Sequence, residues 1–118
     1  MAILSSHTLN SVDGTHAGGI GIVLIRIDAD GGRSSILTAQ TDSGGRFSQD
    51  LTLSQEDCTC TFELVLQSGA YFQAQSPERD AIQILKEIVI RFEMPDPDGR
   101  YHIPLMLAPN SYSVWWSS

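Results

Sequence analysis

Cysteine is nearly absent: the 118 residues include two, Cys58 and Cys60. If both sat in one strand, their side chains would point the same way with Cα atoms roughly 6.5–7 Å apart, at or beyond the reach of a disulfide. The segment offers too little further cysteine or histidine for a zinc site. They read as two reduced thiols filling core. Long apolar runs are missing as well, and none approaches the ~20 residues that cross a bilayer, so no membrane partner is expected. The opening Met1-Ala2-Ile3-Leu4-Ser5-Ser6 has neither a basic stretch nor a long apolar one, so no secretory leader is expected. The closing Trp116-Ser117-Ser118 is not a peroxisomal address of the Ser-Lys-Leu kind, which leaves the cytosol as the expected compartment. Positive charge is scarce: 7 Lys and Arg stand against 14 Asp and Glu. The resulting net charge of -7 excludes nonspecific nucleic-acid binding, because phosphates would be repelled. Also missing are the G-x-S-x-G elbow, the P-loop, the H-E-x-x-H helix and the dinucleotide fingerprint.

What remains is the composition of an ordinary globular protein, 42% hydrophobic and 18% charged, with room for one domain over residues 1–118. Its dominant period is two. Over residues 58–67, Cys60, Phe62, Leu64 and Leu66 share one face, and Thr59, Thr61, Glu63 and Gln67 share the other, with Val65 the exception. That is the pattern of a half-buried strand. Residues 20–28 set Val23, Ile25 and Ile27 against Ile22, Leu24 and Arg26, so both faces are largely apolar and a partner on the second face is expected. Residues 87–94 alternate in the same way. Turn chemistry separates the runs at Asp30-Gly31-Gly32, Asp42-Ser43-Gly44-Gly45, Ser68-Gly69 and Pro95-Asp96-Pro97-Asp98-Gly99. Ser76-Pro77-Glu78 opens residues 76–82 with a capping serine, a proline at the first helical position and an early acid, which predicts one or two turns of helix there. Short strands, turns and one small helix indicate an all-β antiparallel sandwich.

Three residues could carry chemistry. In the run from Tyr101 to Leu107, the residues Tyr101, Ile103, Leu105 and Leu107 form the core face, and His102 looks out with Pro104 and Met106. A histidine there is not needed for packing and faces solvent, a cleft or another subunit. His7 and Arg46 taken alone read as surface groups, as does His16, which has no companion signal.

Several blocks, in order along the whole chain, change that reading. Ser6-His7-Thr8-Leu9-Asn10, then Gly14, then Ala17-Gly18-Gly19-Ile20 is one; Thr41-Asp42-Ser43-Gly44-Gly45-Arg46-Phe47 is another. Gly69-Ala70-Tyr71-Phe72, Val89-Ile90-Arg91-Phe92 and Tyr101-His102-Ile103-Pro104-Leu105 follow. Together they resemble the transthyretin-like 5-hydroxyisourate hydrolases. The resemblance implies the transthyretin (prealbumin-like) sandwich, a small-molecule substrate, no cofactor, and a homotetramer built as a dimer of dimers with sites in a channel between dimers. It also implies a catalytic group of His7, Arg46 and His102. Transthyretin itself has lysine and threonine at the two histidine positions, so the resemblance is to the enzyme side.

The implied reaction is hydrolytic ring opening of 5-hydroxyisourate. His7 and His102 position and deprotonate a water, and Arg46 holds developing oxyanion charge and the planar substrate. The tail departs from the family. Where the hydrolases end in Tyr-Arg-Gly-Ser, this chain ends in Trp115-Trp116-Ser117-Ser118, so a cation at the mouth is replaced by indole. Trp115, Trp116 and Ser118 are the expected substrate-side residues. Three readings stay open: a 5-hydroxyisourate hydrolase with an altered tail, a divergent enzyme for a larger aromatic substrate, and a transthyretin-like binding protein.

Overall fold

The computed structural model describes residues 1–78 and 82–118. Among the described residues, nine strands form two facing sheets. In the first sheet, β1 (Ala2–Asn10) lies between β4 (Arg46–Leu51) on one edge and β7 (Arg100–His102) followed by β8 (Leu105–Ala108) on the other, and β9 (Ser111–Val114) completes it beyond β8. β1 pairs antiparallel to β4 and parallel to β7 and β8. The second sheet runs β3 (Arg33–Gln40), β2 (Gly21–Ile27), β5 (Thr61–Leu66), β6 (Ile88–Glu93), antiparallel throughout.

The core lies between the sheets. Leu4, Ile22, Leu24, Phe62, Leu64, Leu66, Ile88, Leu105 and Leu107 contribute fully buried side chains. Tyr101 and Ile103 are buried with them, as the alternation in 101–107 requires. Pro104 interrupts that run, because it has no N–H to give the ladder, and the expected single strand becomes β7 and β8.

Three expectations need correction. The helix is α1, Ser68–Gln75, which lies earlier than residues 76–82. It contains the expected Ser68-Gly69 turn and buries Tyr71 and Phe72. Ser76 ends the helix, its N–H bonding the Phe72 carbonyl at 3.1 Å, and Pro77 prevents continuation. Residues 79–81 of the expected helix lie outside the described residues.

The second correction concerns residues 58–60. Cys58 belongs to a single 3₁₀ turn at Asp57–Thr59 and is half-buried; Cys60 is buried core, and both thiols are free. The third is Glu63, expected on a solvated face. It is buried, held between Arg33 Nη2 at 2.5 Å and Arg91 Nη2 at 2.8 Å. Both guanidiniums hold its carboxyl below the usual range, with Arg33 contributing most.

Loops are packed onto β1 at two glycines. Gly45 has φ +75°, and a Cβ there would lie 2.3 Å from the Thr8 carbonyl oxygen and 3.3 Å from Ala17 N. A Cβ on Gly18 would lie 2.7 Å from the Asp42 carbonyl oxygen. These close approaches press the 15–19 segment and the 42–45 turn together against the strand. Gly45→Ala combines left-handed backbone strain with backbone overlap, together about 2–4 kcal/mol. Thermal unfolding of that variant should show a Tm about 10 °C lower; an unchanged Tm would contradict this account of the packing.

Candidate active site

The candidate residues come together through strand register. His7 is the direct cross-strand partner of Arg46 in the β1–β4 pair, and Ser5 is the partner of His102 in the β1–β7 pair. Cross-strand partners project to the same side, and Ser5 and His7 are two apart, so Arg46, His7, Ser5 and His102 all lie on the outer face of the first sheet. Neighbouring strands are about 4.8 Å apart, so three adjacent strands present these groups within the span of one small ring system. Beneath them the inner face of β1 is polar and satisfied. Ser6 Oγ donates to the Ile103 carbonyl at 2.7 Å, Thr8 Oγ1 to the Ala17 carbonyl at 2.7 Å, and Asn10 Nδ2 to Tyr71 Oη at 3.2 Å. Buried hydrogen bonds of this kind hold the strand to its loops and to the distal strand, so the outer groups sit on a rigid base.

His7 is half-buried, with Nε2 3.0 Å from the Gly44 carbonyl oxygen. A carbonyl only accepts, so Nε2 carries the proton and Nδ1 keeps its lone pair. The pKa of His7 lies below the ordinary value of 6.5: burial lowers it most, Arg46 lowers it next, and the Gly44 carbonyl opposes them. His102 is half-buried. Its Nδ1 sits 2.8 Å from Ser5 Oγ, a hydroxyl able to donate or accept, so either imidazole tautomer is held in place. Arg46 is exposed, and among the described residues it enters no ion pair, unlike Arg26, Arg33 and Arg91. Its N–H is bonded by Asp42 Oδ1 at 2.9 Å, which ties its backbone to the Gly44–Gly45 turn. One neutral base, one histidine held by a hydroxyl and one unpaired cation suit activation of water beside a developing oxyanion.

Two members of this group were not legible beforehand. Ser5 has no motif of its own. His16, expected at the surface without a companion, is exposed but stacks on His7, with ring centroids 5.0 Å apart and Nδ1 3.0 Å from His7 Nε2. The chain reverses after Asn10, whose N–H bonds the Thr15 carbonyl at 2.8 Å, and Gly14 at φ +79° turns it back so that His16 bridges Leu9. The Asp13-Gly14 turn was the available signal, and it shows a reversal without saying what lands beside His7.

The tail is placed differently from the three central groups. Ser117 pairs with His102 through two backbone bonds, 3.0 and 2.9 Å long, and Trp115 N–H reaches the Pro104 carbonyl at 3.3 Å. Trp115 and Trp116 line a cavity of about 420 Å³ at the open edge of the sandwich with Phe92, Pro95, Tyr101 and Ile103. Ser118 follows, exposed. The half-buried second face of β2, Val23, Ile25 and Ile27, belongs to the other sheet and lies on the opposite side of the sandwich from His102. A partner on that face would therefore not wall the site at His102.

Comparison with known proteins gives consistent results. The HIUase/Transthyretin family model matches residues 4–116. The chain is similar to 5-hydroxyisourate hydrolase 2 of Rhizobium meliloti (strain 1021), 35% identical over 115 residues covering 98% of this chain and 95% of that protein. It is similar to the 5-hydroxyisourate hydrolase of Halalkalibacterium halodurans at 34% identity over 116 residues, covering 98% and 97%. The crystal structure of transthyretin from Sparus aurata superposes with a TM-score of 0.80 at 26% identity, covering 97% of this chain and 95% of that one.

The lowered His7 pKa has a direct consequence for pH dependence. His7 is neutral above that value and becomes charged as the pH falls through it, losing the lone pair on Nδ1. The acid limb of kcat/KM for any reaction using this base should therefore lie below the ordinary imidazole value of about 6.5. A limb centred above 6.5 would remove His7 from that role.

Proposed function

The chain belongs to the HIUase/Transthyretin family, and on that premise we propose that it is a 5-hydroxyisourate hydrolase, opening a cyclic amide in purine catabolism without a cofactor. The observation that carries the reading is the single sheet face shared by Arg46, His7 and His102 across β4, β1 and β7.

In the mechanism, His7 Nδ1 takes a proton from a water lying between it and His102. The hydroxide attacks the ring carbonyl, and the oxyanion that forms is held by Arg46, whose forked donors also grip the flat substrate. The proton on His7 Nδ1 then passes to the ring nitrogen as the C–N bond breaks. His102, held by Ser5, orients the water and completes the site. One transthyretin-like domain over residues 1–118 supplies these groups. The assembly is a homotetramer, a dimer of dimers, in which this outer face, with exposed Met106 and half-buried Leu9, meets its counterpart across a channel. Among the described residues no helix is long and apolar enough to cross a membrane. We place the protein in the cytosol.

Trp115, Trp116 and Ser118 are assigned to the mouth of the site, supported by the backbone clip between Ser117 and His102. A second reading has one specific observation in its favour: Trp115 and Trp116 are 47% and 63% exposed beside an apolar cavity. Indoles so placed suit an aromatic ligand, but they line that cavity with Tyr101 and Ile103, on the core side of the strand from His102, so this reading carries less than the first.

The test follows 5-hydroxyisourate generated in solution from urate. The purified chain should remove it faster than buffer does, and equality with buffer would eliminate the hydrolase reading. His102→Asn should lower kcat/KM at least about a hundredfold. Trp116→Arg should raise hydrolysis by about tenfold if the missing cation limits it, the worth of one charge-assisted hydrogen bond. No change in that variant would favour the larger substrate or a packing role for the indole.

A further inference from the structure

We propose that His16 is the proton exit of this site, taking from His7 the proton that ring opening releases and delivering it to bulk water. This rests on the hydrolase reading above.

The need for an exit follows from the balance of the reaction. Hydrolysis of a cyclic amide consumes one water. One of its protons ends on the released ring nitrogen when the C–N bond breaks. The other belongs to a new carboxylic acid, ionised at neutral pH because such groups titrate near 3–4. Each turnover therefore frees one proton inside the site. His7 is the base placed to collect it, and it cannot keep it: the charged and titratable groups facing it are Arg46 from β4, His102 from β7 and His16, and each of them disfavours the imidazolium.

The geometry supplies the next acceptor. His7 Nε2–H points between the Gly44 carbonyl and His16 Nδ1, both at 3.0 Å, and the carbonyl cannot accept a proton outright. When Nδ1 of His7 gains the acid proton, its Nε2 proton can move to His16 Nδ1 while His16 Nε2–H passes its own to solvent. His16 is exposed, which an exit requires and a buried structural histidine would lack. Water exchange at the free ring nitrogens restores the resting tautomers after the product leaves. His16 touches no reacting atom in this scheme, so its role is positional and runs through His7.

Two variants separate proton transfer from support. His16→Phe keeps a ring to stack on His7 and removes both nitrogens; His16→Ala opens space for a soluble base. Both should lower kcat about tenfold with KM little changed, less than the hundredfold or more of a direct acid–base group, because water partly replaces an exposed relay. Added imidazole should restore kcat in His16→Ala while leaving the parent unaffected. Parental kcat in His16→Phe, or a loss that imidazole does not recover, would overturn the proposal.

A second measurement needs no turnover. In the parent, the His7 ring C–H signals should carry a step from coupling to His16 beside any from His102, and the His16 step should vanish in His16→Phe. Identical His7 curves would overturn the proton pair whatever the activity. A parent that leaves 5-hydroxyisourate untouched would sink the hydrolase reading and the release step with it, whereas the titration still reports the coupling.

Discussion

β1 hydrogen-bonds along both edges, to β4 on one side and to β7 and β8 on the other, and this double pairing sets every distance in the site. The side-chain period of a strand is two, so a slip of one residue would send His7 into the core and lift Leu4 and Thr8 into water. Burial of the inner face prevents the slip. Ala2 and Leu4 are fully buried, and Ser6, Thr8 and Asn10 each have a specific buried partner that exists in only one register. The outer face inherits that register without contributing to it, and so the histidines and arginine can be chosen for chemistry.

The polar residues under the site have a second effect. Thr8 reaches both the Ala17 and Gly45 carbonyls, and Thr41 Oγ1 binds the Ile20 amide and the Ala17 carbonyl. An apolar inner face would pack the sheets equally well but take the Thr8 hydroxyl from the buried Ala17 carbonyl, at about 1 kcal/mol, while the Gly45 carbonyl would keep the Thr8 N–H at 2.7 Å. The hydroxyls therefore attach the 15–20 segment and the 41–45 turn to β1. These two segments carry His16 and the Gly44 carbonyl, and the second leads directly into Arg46 at the start of β4. The loop chemistry around His7 thus depends on threonines that never face the site.

The C-terminal tail works differently. Its backbone clips onto His102 through Ser117, and its indoles turn toward an apolar edge cavity. The clip needs only backbone atoms, so the side chains at 115 and 116 can change without detaching the tail from β7. The attachment of the tail to β7 therefore does not depend on which side chains stand at 115 and 116.

The alternating segments were legible from the residues alone. Glu63 and Val65 apart, the faces of 61–66 and 87–94, the core side of 101–107 and the turns at 30–32, 42–45 and 95–99 follow from period and turn chemistry, and so does the sandwich. The central strand was not legible. Its buried face reads Ala2, Leu4, Ser6, Thr8, Asn10, and the hydroxyls and amide hide the alternation that burial would otherwise print. The helix was misplaced because serine before proline resembles a helix start, whereas here it marks a stop. His7, Arg46 and His102 were picked out by resemblance. Their position on one face of three neighbouring strands, the serine behind His102 and the imidazole stacked on His7 were decided only by the tertiary structure. The reason is physical: a strand's sequence dictates which of its residues share a face, but which strand lies beside it, and in what register, depends on partners up to 97 residues away.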